Sequence, residues 1–358
     1  MSTKIKYLLS ISLFLGLFIV ACNPKDDDND WVYNPTSVTV PLPAFVNTYL
    51  GAMPIPSDNP LTEEGIALGR RLFYDKRLSN DNTMSCATCH LQEHAFDDPR
   101  RFSEGTNGAL GNRNAMSIQN LSWANAMFWD GRRETLEQQA HDPVTNPIEM
   151  RNTWTTVESR LRSDANYPQL FYEAFGTADI DSNLVVKAIA QFERTLVSFH
   201  SPFDDYYFNG NTNALTEQQI RGKDIYFGKG HCNDCHSDVL LTDNQFRNNG
   251  LDNVLTDIGM GKPTQNPDNN GKFKVPTLRN IALTAPYMHD GRFPDLQAVV
   301  DFYSHGIQPN SPNIDEHVAP FGNGFAFNPG EKADLIAFLQ SFTDTSFINN
   351  PNFSNPNP

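Results

Sequence analysis

Two short segments of the chain carry the same arrangement of thiols and imidazole. Cys86-Ala87-Thr88-Cys89-His90 and Cys232-Asn233-Asp234-Cys235-His236 each place a histidine directly after the second of two cysteines. Two thiols at this spacing can add to the two vinyl groups of a porphyrin, and the imidazole that follows can bind the iron. A zinc site built from two cysteine pairs is the alternative, but it would need neither histidine. The pattern predicts two covalently bound c-type haems, with His90 and His236 as iron ligands.

The composition of the chain fits a protein whose core is completed by such a cofactor. Only 39% of its 358 residues are hydrophobic, and 24 prolines and 22 glycines are spread among them. A chain of this length is expected to form two domains. We predict a mainly α-helical fold with long ordered loops, in which each porphyrin supplies apolar volume. The formal net charge of -15 argues against a nucleic-acid partner and permits a basic redox partner.

The first 22 residues have the features of an export signal. An apolar run at 8–20 follows two lysines, and Ala21-Cys22 resembles the cleavage box of a bacterial lipoprotein. An uncut membrane anchor is the alternative, although a run of about 13 apolar residues is short for a membrane span. We predict a lipoprotein signal peptide at 1–21, a lipid on Cys22, and a tether with a Pro-rich lead-in at 22–60. The protein would then lie in the periplasm or cell envelope, outside the cytoplasm, where c-type haem is attached.

A set of residues after the first haem motif recurs 160 residues later in the chain. The recurring residues are Asn120, Asp130, Gly131, Arg132 and Leu136 in the first copy and Asn280, Asp290, Gly291, Arg292 and Leu296 in the second. Such a repeat indicates an internal duplication of one structural unit.

Local signals divide the chain around this duplication. A helix that starts at a threonine precedes each haem motif, from Thr62 and from Thr216. The segment Ser201-Pro202-Phe203-Asp204 is interpreted as a turn that stops a helix. We predict two cytochrome c-like haem domains followed by a loosely held tail. Their predicted limits are 61–205 for the N-terminal domain, 206–345 for the C-terminal domain and 346–358 for the tail.

The two copies differ in the side chains that could face the second axial position of each iron. The first copy contains a carboxylate-bearing stretch at 137–150, which has no counterpart of like chemistry after Leu296. The second copy contains side chains that could bind iron there, namely Tyr303, Met260, Met288 and His305. One haem is therefore expected to be open and served by an acid–base group, whereas the other is expected to be closed and to transfer electrons.

Together these motifs resemble those of the bacterial dihaem cytochrome c peroxidases, a family that includes the dihaem enzyme that matures methylamine dehydrogenase. The resemblance runs from about Leu61 to Leu339. Besides the haem motifs, it rests on Gly111-Asn112-Arg113-Asn114, Phe128-Trp129-Asp130-Gly131-Arg132, Pro147-Ile148-Glu149-Met150, Phe273-Lys274-Val275-Pro276-Thr277-Leu278-Arg279-Asn280 and Pro286-Tyr287-Met288-His289-Asp290-Gly291. It implies a peroxidase that reduces hydrogen peroxide to water with electrons from a small donor, such as a monohaem cytochrome c or a cupredoxin.

The resemblance implies roles for residues of the first copy. His90 would be the proximal ligand of the peroxide-binding haem, and Glu149 the distal glutamate, with Gln139 and Pro143 in the same pocket. A carboxylate beside a low-dielectric porphyrin can have its pKa raised toward neutrality and move a proton between the two oxygens of peroxide. An exposed position for Glu149 is the alternative. Trp129 resembles the tryptophan that relays electrons between the haems. A tryptophan with a purely structural role in the core is the alternative.

Other implied sites combine both copies or depart from the family pattern. Asn114 and the backbone carbonyls of Thr284 and Pro286 resemble the family's calcium site, and oxygen ligands suit calcium. His289 would be a propionate or structural partner. In many of these peroxidases a loop histidine caps the first iron at rest. Alignment through Arg113-Asn114 puts Thr106 at that position, so we predict an open first iron, with His94 as a less favoured cap.

The second axial ligand of the C-terminal haem iron bears on which function the protein has. The peroxidases commonly place methionine there, whereas the maturation enzyme places a tyrosine, and Tyr303 occupies the equivalent position. A tyrosinate ligand would lower the reduction potential. We therefore keep two alternatives to the peroxidase: an oxidant that uses peroxide to modify a partner protein or organic substrate, and a non-enzymatic electron carrier with two closed haems. A homodimer is compatible with the family, which is often dimeric.

Overall fold

Helices and irregular loops make up almost all of residues 31–356, the part of the chain that the structure, a computed structural model, describes. The helices are α1 (Ala44–Leu50), α2 (Glu63–Phe73), α3 (Leu136–Thr145), α4 (Trp154–Arg162), α5 (Tyr167–Phe175), α6 (Ser182–Arg194), α7 (Pro202–Tyr207), α8 (Glu217–Phe227), α9 (Gly261–Thr264), α10 (Leu296–His305), α11 (Pro329–Gln340) and α12 (Thr345–Ile348). Two short strands, β1 (Phe246–Arg247) and β2 (Phe273–Lys274), form an antiparallel pair. The predicted mainly α-helical fold is confirmed.

The predicted export features cannot be located in this fold. The predicted signal peptide at 1–21 and Cys22, the predicted lipid attachment site, lie outside the described residues. Across residues 31–356, no helix combines the length and the apolar character needed to cross a membrane.

The first module is built on the crossing of α2 and α6. The side chain of Thr62 accepts a 3.0 Å hydrogen bond from the backbone of Gly65 and so begins α2 where the sequence predicts. A Cβ atom on Gly69 would lie only 1.8 Å from the carbonyl oxygen of Ala188, so glycine at this position lets the two helices approach closely. The core around this crossing contains Leu68, Leu72, Phe73, Val185, Ile189 and Phe192.

The second module repeats this construction with α8 and α11. Thr216 and Gln219 form a reciprocal capping box that begins α8. A Cβ atom on Gly222 would lie 2.0 Å from the carbonyl oxygen of Asp334, which is the same glycine-dependent helix approach as in the first module. A second core surrounds it and includes Tyr226, Leu335, Phe338 and Phe342. The two modules therefore share a helix crossing as well as the sequence motifs.

The repeated asparagines join the two modules. Asn120 and Asn280 both have positive φ angles, of 56° and 57°. The side chain of Asn120 accepts from the backbone N–H of Ser198 at 2.8 Å and donates to its carbonyl at 3.1 Å. The side chain of Asn280 donates to the hydroxyl of the same serine at 2.9 Å and accepts from the backbone of Asp344 at 2.7 Å. One serine thus ties together the equivalent positions of both repeats.

Ser201 begins a helix, which corrects the prediction of a turn that stops one. Its hydroxyl accepts from the backbone N–H of Asp204 at 3.3 Å, and the carboxylate of Asp204 accepts from the backbone N–H of Ser201 at 2.9 Å. With Pro202 at the first helical position, this segment has the usual features of a helix N-terminus. The predicted domain boundary at 205 consequently falls inside α7.

Both ends of the described chain are more ordered than expected. The lead-in contains α1, whose Phe45 stacks on Phe208 with ring centroids 4.5 Å apart. The final residues are not a loose tail, because Phe347 and Phe353 are buried in the core of the first module. The hydroxyl of Tyr74 also donates to the carbonyl of Phe353 at 2.7 Å. Isolated aromatic residues in an Asn/Pro-rich stretch give little sequence signal for such packing.

Candidate active site

The first haem motif borders a cavity of about 750 Å³ in the first module. The motif forms a 3₁₀ turn at Cys86–Thr88, and the backbone N–H of His90 donates to the carbonyl of Cys86 at 3.0 Å. Nδ1 of His90 lies 2.9 Å from the carbonyl oxygen of Phe96. A carbonyl can only accept, so this contact makes Nδ1 the donor and leaves Nε2 free for a metal ion.

The second motif borders a smaller cavity of about 270 Å³ in the second module. Its 3₁₀ turn spans Cys232–Asp234, and Nδ1 of His236 lies 3.1 Å from the carbonyl oxygen of Pro276. Burial lowers the pKa of His90 and lowers that of His236 to about 4. Both imidazoles are therefore neutral at physiological pH, which is the form that binds iron.

The four cysteines of the described chain fit thioether attachment and not a shared zinc site. Cys86 and Cys89 line the first cavity, whereas Cys232 and Cys235 line the second. Pairs on separate cavities cannot complete one tetrathiolate site. Burial raises the pKa of Cys232 and Cys235 to about 12, so both thiols are protonated. Each cavity thus offers two thiols and one carbonyl-oriented imidazole, which is the set of groups that holds a c-type haem.

A tight turn after α3 brings Glu149 to the same cavity as His90. The backbone N–H of Glu149 donates to the carbonyl of Asn146 at 3.1 Å, and that of Arg151, whose φ is 54°, donates to the same carbonyl at 3.0 Å. Gln139 and Pro143, on α3 itself, line this cavity as well. The structure therefore brings together the four residues to which the resemblance gave roles at the first haem, while their roles stay predictions.

The surroundings of Glu149 favour a carboxyl group that holds a proton. Burial raises the pKa of Glu149, and the hydrogen bond from Asn146 opposes this shift only in part. That bond runs from Nδ2 of Asn146 to Oε1 of Glu149 at 2.6 Å and fixes the orientation of the carboxyl group. A positioned carboxyl group whose pKa is raised in this way is a candidate general acid–base group.

Neither Thr106, which stands at the family's capping position, nor His94, the less favoured cap, is among the described residues that line the first cavity. The backbone N–H of Thr106 donates to the carbonyl of Glu149 at 3.0 Å, and its buried hydroxyl has no hydrogen-bond partner in the described part of the chain. His94 ends a separate 3₁₀ turn at Gln92–His94. An open first iron stays a prediction.

The second cavity contains two of the four candidate axial ligands. Tyr303 and Met288 line it together with His236, but Met260 and His305 do not. Burial raises the pKa of Tyr303 to about 12. Nδ2 of Asn249 donates to the hydroxyl oxygen of Tyr303 at 3.1 Å and contacts Sδ of Met288 at 3.6 Å. The choice between the two ligands stays open, and two alternatives left by the sequence are no longer favoured.

Trp129 lies in the wall between the two cavities and contributes to the lining of both. Its indole Nε1 donates to the backbone carbonyl of Asn114 at 2.9 Å, which fixes the ring. Its carbonyl accepts from the backbone N–H of Lys274 at 2.8 Å, so residues of both modules hold this tryptophan. An oxidisable aromatic ring in this position can pass electrons between two cofactors.

The predicted calcium ligands meet at the second cavity, but their oxygens are not shown to converge. Asn114, Thr284 and Pro286 all line this cavity. Nδ2 of Asn114 donates to the carbonyls of Arg100 and Arg101, at 3.1 and 3.3 Å. Calcium therefore stays a prediction. His289 stacks on Phe273 with centroids 3.8 Å apart and accepts, through its carbonyl, from the backbone of Asn114, which agrees with a structural role.

Three residues with evident roles in the site were not identified from the sequence. A Cβ on Gly105 would lie 2.2 Å from the carbonyl oxygen of Ile148, so this glycine lets its loop pack on the Glu149 turn. Asn249 orients Tyr303, as described above. Glu193 lines the first cavity, is 4% exposed, and has an Oε2 atom that accepts no hydrogen bond from a described residue. None belongs to a spacing pattern, because each acts through contacts between distant segments.

Two modules, each with a Cys-x-x-Cys-His turn on its own cavity and a tryptophan in the wall between them, define a dihaem c-type protein. A family model described as "Di-haem cytochrome c peroxidase" matches residues 63–213. The methylamine utilization protein MauG of Methylorubrum extorquens is 38% identical over 293 residues, with 81% of each chain covered. The chain belongs to the di-haem cytochrome c peroxidase family, and it is an oxidoreductase of that family.

Further comparisons support this assignment. The cytochrome c551 peroxidase of Nitrosomonas europaea is 33% identical over 294 residues, which cover 81% of this chain and 83% of the relative. Among solved structures, a MauG-like protein associated with microbial copper homeostasis is similar with a TM-score of 0.81 and 38% identity, covering 89% of this chain and 99% of the other. The relatives include both peroxidases and MauG proteins, so family membership alone does not fix the substrate.

Proposed function

We propose that the protein reduces hydrogen peroxide to water at the N-terminal haem, with electrons that enter at the C-terminal haem from a small redox protein such as a monohaem cytochrome c or a cupredoxin. The observation that carries this proposal is the buried Glu149, which shares a cavity with His90. The second cavity instead presents Tyr303 and Met288 together with His236. This difference supports an open site and a closed one.

The reaction requires two protons and two electrons for each peroxide, and it forms two molecules of water. Haem bound at His90 would supply the iron that accepts peroxide and delivers the electrons to it. Glu149 is placed to take a proton from one peroxide oxygen and to give it to the other, which becomes the leaving water. Asn146 keeps the carboxyl in one orientation for both steps. Trp129, in the wall between the cavities, provides the route for the second module's electrons.

Other parts of the proposal rest on the sequence. We place the protein in the periplasm or cell envelope, held by a lipid on Cys22 after removal of 1–21, because its haem motifs require attachment outside the cytoplasm. We include a calcium ion at Asn114, Thr284 and Pro286 on the strength of the family resemblance. Mass spectrometry of the purified protein tests the lipid, and metal analysis before and after chelation tests the ion. An uncut N-terminus would contradict the lipid anchor. A metal content of iron alone would contradict the calcium ion.

The test of the reaction is Glu149→Gln, which keeps the size and polarity of the side chain and removes its titratable proton. General acid–base groups contribute about 10²–10⁴-fold to rate, so the steady-state reduction of peroxide by a reduced cytochrome should fall by about that factor at unchanged haem content. The matched control is Glu104→Gln, because Glu104 lines the same cavity but is exposed. Equal turnover in wild type and Glu149→Gln would refute the role of Glu149.

A second function is favoured by one observation, which is the position of Tyr303 in the second cavity together with the similarity to MauG proteins. In this alternative, peroxide oxidises a partner protein or an organic substrate in place of a donor cytochrome. Rapid mixing with peroxide in the absence of a donor separates the two. A peroxidase without electrons returns quickly to its resting spectrum or loses activity, whereas a long-lived oxidised state that a phenolic substrate discharges supports the alternative.

A further inference from the structure

Lys274 is a buried lysine in the wall that the two cavities share. It ends β2, is only 6% exposed, and contributes to the lining of both cavities. Its backbone N–H donates to the carbonyl of Trp129, so the residue directly adjoins the tryptophan between the two modules. The side chain is therefore placed where groups bound in either cavity could reach it.

The ammonium group of Lys274 has a neutral partner and no ionic one among the described residues. Nζ donates to the backbone carbonyl of Ala126 at 2.6 Å, and no carboxylate of residues 31–356 pairs with it. Burial without a compensating charge lowers the pKa of Lys274 to about 8. An ammonium has three donors, and a single carbonyl satisfies one of them.

Other buried or half-buried cations near the module boundary are paired with acids. Arg279 binds Asp204 at 2.8 Å with both side chains fully buried. Arg113 binds Asp130 and Asp257, each at 2.7 Å. A buried charge without a counter-charge is costly. The contrast indicates that Lys274 receives its counter-charge from a group outside residues 31–356.

We propose that the ammonium of Lys274 binds a propionate carboxylate of a haem at the wall shared by the two cavities. Each haem carries two propionates, and the haem motifs place one porphyrin in each cavity that Lys274 lines. The proposal does not depend on whether peroxide is reduced by a donor or used to oxidise another substrate. The competing explanation is that Lys274 serves only to bind Ala126 and join the modules.

The proposed pair has a measurable electrostatic consequence. A fixed positive charge beside a propionate favours the reduced state of the iron, because reduction lowers the net positive charge of the haem. Loss of that charge should shift the reduction equilibrium of at least one haem by about tenfold toward the oxidised state, which is about 59 mV for a one-electron couple. The haem that responds identifies the owner of the propionate.

The test measures the midpoint potentials of both haems by spectroelectrochemistry in the intact, fully loaded protein. Lys274→Gln removes the charge but retains a donor for the carbonyl of Ala126, Lys274→Met removes both, and Lys274→Arg keeps the charge. Lys76→Met is the matched control, because Lys76 is exposed and lines neither cavity. Haem content and the optical spectrum of the oxidised protein show that each variant is assembled.

The proposal expects a lower potential in Lys274→Gln and Lys274→Met, and little change in Lys274→Arg and Lys76→Met. Unchanged potentials in both charge-removing variants overturn it, as does an equal fall in Lys274→Arg. If neither charge-removing variant assembles, the crystal structure of the wild-type holoprotein decides. A propionate oxygen within about 4 Å of Nζ, the usual limit for an ion pair, supports the proposal, and a propionate beyond that reach overturns it.

Discussion

Gln119 and Arg279 occupy equivalent positions in the two repeats, and Nε2 of Gln119 donates a 2.6 Å hydrogen bond to the backbone carbonyl of Arg279. The side-chain oxygen of Gln119 in turn accepts from Nδ2 of Asn280. All three residues are buried. The repeated motifs thus pair with each other at the module boundary. Because these residues are buried, the charged Arg279 needs an acid beside it.

Removal of the Asp204 carboxylate, which pairs with Arg279, should destabilise the whole protein. Both Nη atoms of Arg279 donate to Asp204, at 2.9 and 2.8 Å, with no exposure of either side chain. Asp204→Asn leaves a buried guanidinium without its counter-charge, so we expect a loss of about 3–5 kcal/mol in the free energy of unfolding. Urea unfolding of the haem-loaded protein measures it. Asp334→Asn is the control, because the partner Arg221 is 58% exposed and such pairs contribute about 0–1 kcal/mol.

Trp129→Phe should slow electron transfer between the haems without changing their resting spectra. Phenylalanine fills much of the same volume but is far harder to oxidise, and it cannot donate to the carbonyl of Asn114. Stopped-flow mixing of the half-reduced protein with peroxide follows the oxidation of the C-terminal haem. Trp123→Phe is the control, since this tryptophan packs on Phe199 away from both cavities. Equal rates in Trp129→Phe and wild type would leave Trp129 a structural role only.

Tyr303→Phe should change the low-spin spectrum of the C-terminal haem, whereas Met288→Leu should not. Both side chains line the cavity of His236, and Asn249 contacts both. An oxygen ligand stabilises ferric iron, so Tyr303→Met should also raise the midpoint potential of this haem. Paramagnetic resonance and optical spectra of the oxidised variants make the comparison. A spectrum that responds to Met288→Leu alone would assign the ligand to methionine.

Glu193→Gln should alter the pH dependence of stability. Burial raises the pKa of Glu193 from the usual 4.5 to about 8 in the folded protein. Between these values the folded state binds a proton that the unfolded state releases, so the wild type loses stability as the pH rises from about 4.5 to 8. Glutamine does not titrate in this range. The Tm of the variant should therefore rise relative to that of the wild type as the pH increases from about 4.5 to 8.

A matched variant isolates this effect from general changes in charge. Glu316→Gln removes an exposed carboxyl group in a loop. Its Tm should run parallel to that of the wild type between pH 4.5 and 8. A Tm difference between Glu193→Gln and the wild type that stays constant over this range would show that the carboxyl of Glu193 titrates normally.

The sequence predicted those features that depend on short spacing. The haem motifs, the helix starts at Thr62 and Thr216 and the duplication all follow from residues close together in the chain or from a fixed offset. The prediction of a turn at the start of α7 is wrong, because Ser201 and Pro202 fit both a turn and a helix N-terminus. The partners of Tyr303 and Lys274 come from segments distant in sequence, so no periodicity could reveal Asn249's contact with two candidate ligands. Asn146 lies only three residues before Glu149, but its orienting hydrogen bond depends on the tight turn that follows α3.

The burial of Phe347 and Phe353 in the core of the first module has a consequence for biogenesis. The first module contains the first haem motif, yet part of its core is formed by side chains from a much later stretch of the chain. This core cannot be complete until residues 347–353 have been synthesised. Porphyrin can therefore reach Cys86 and Cys89 before Phe347 and Phe353 close the module.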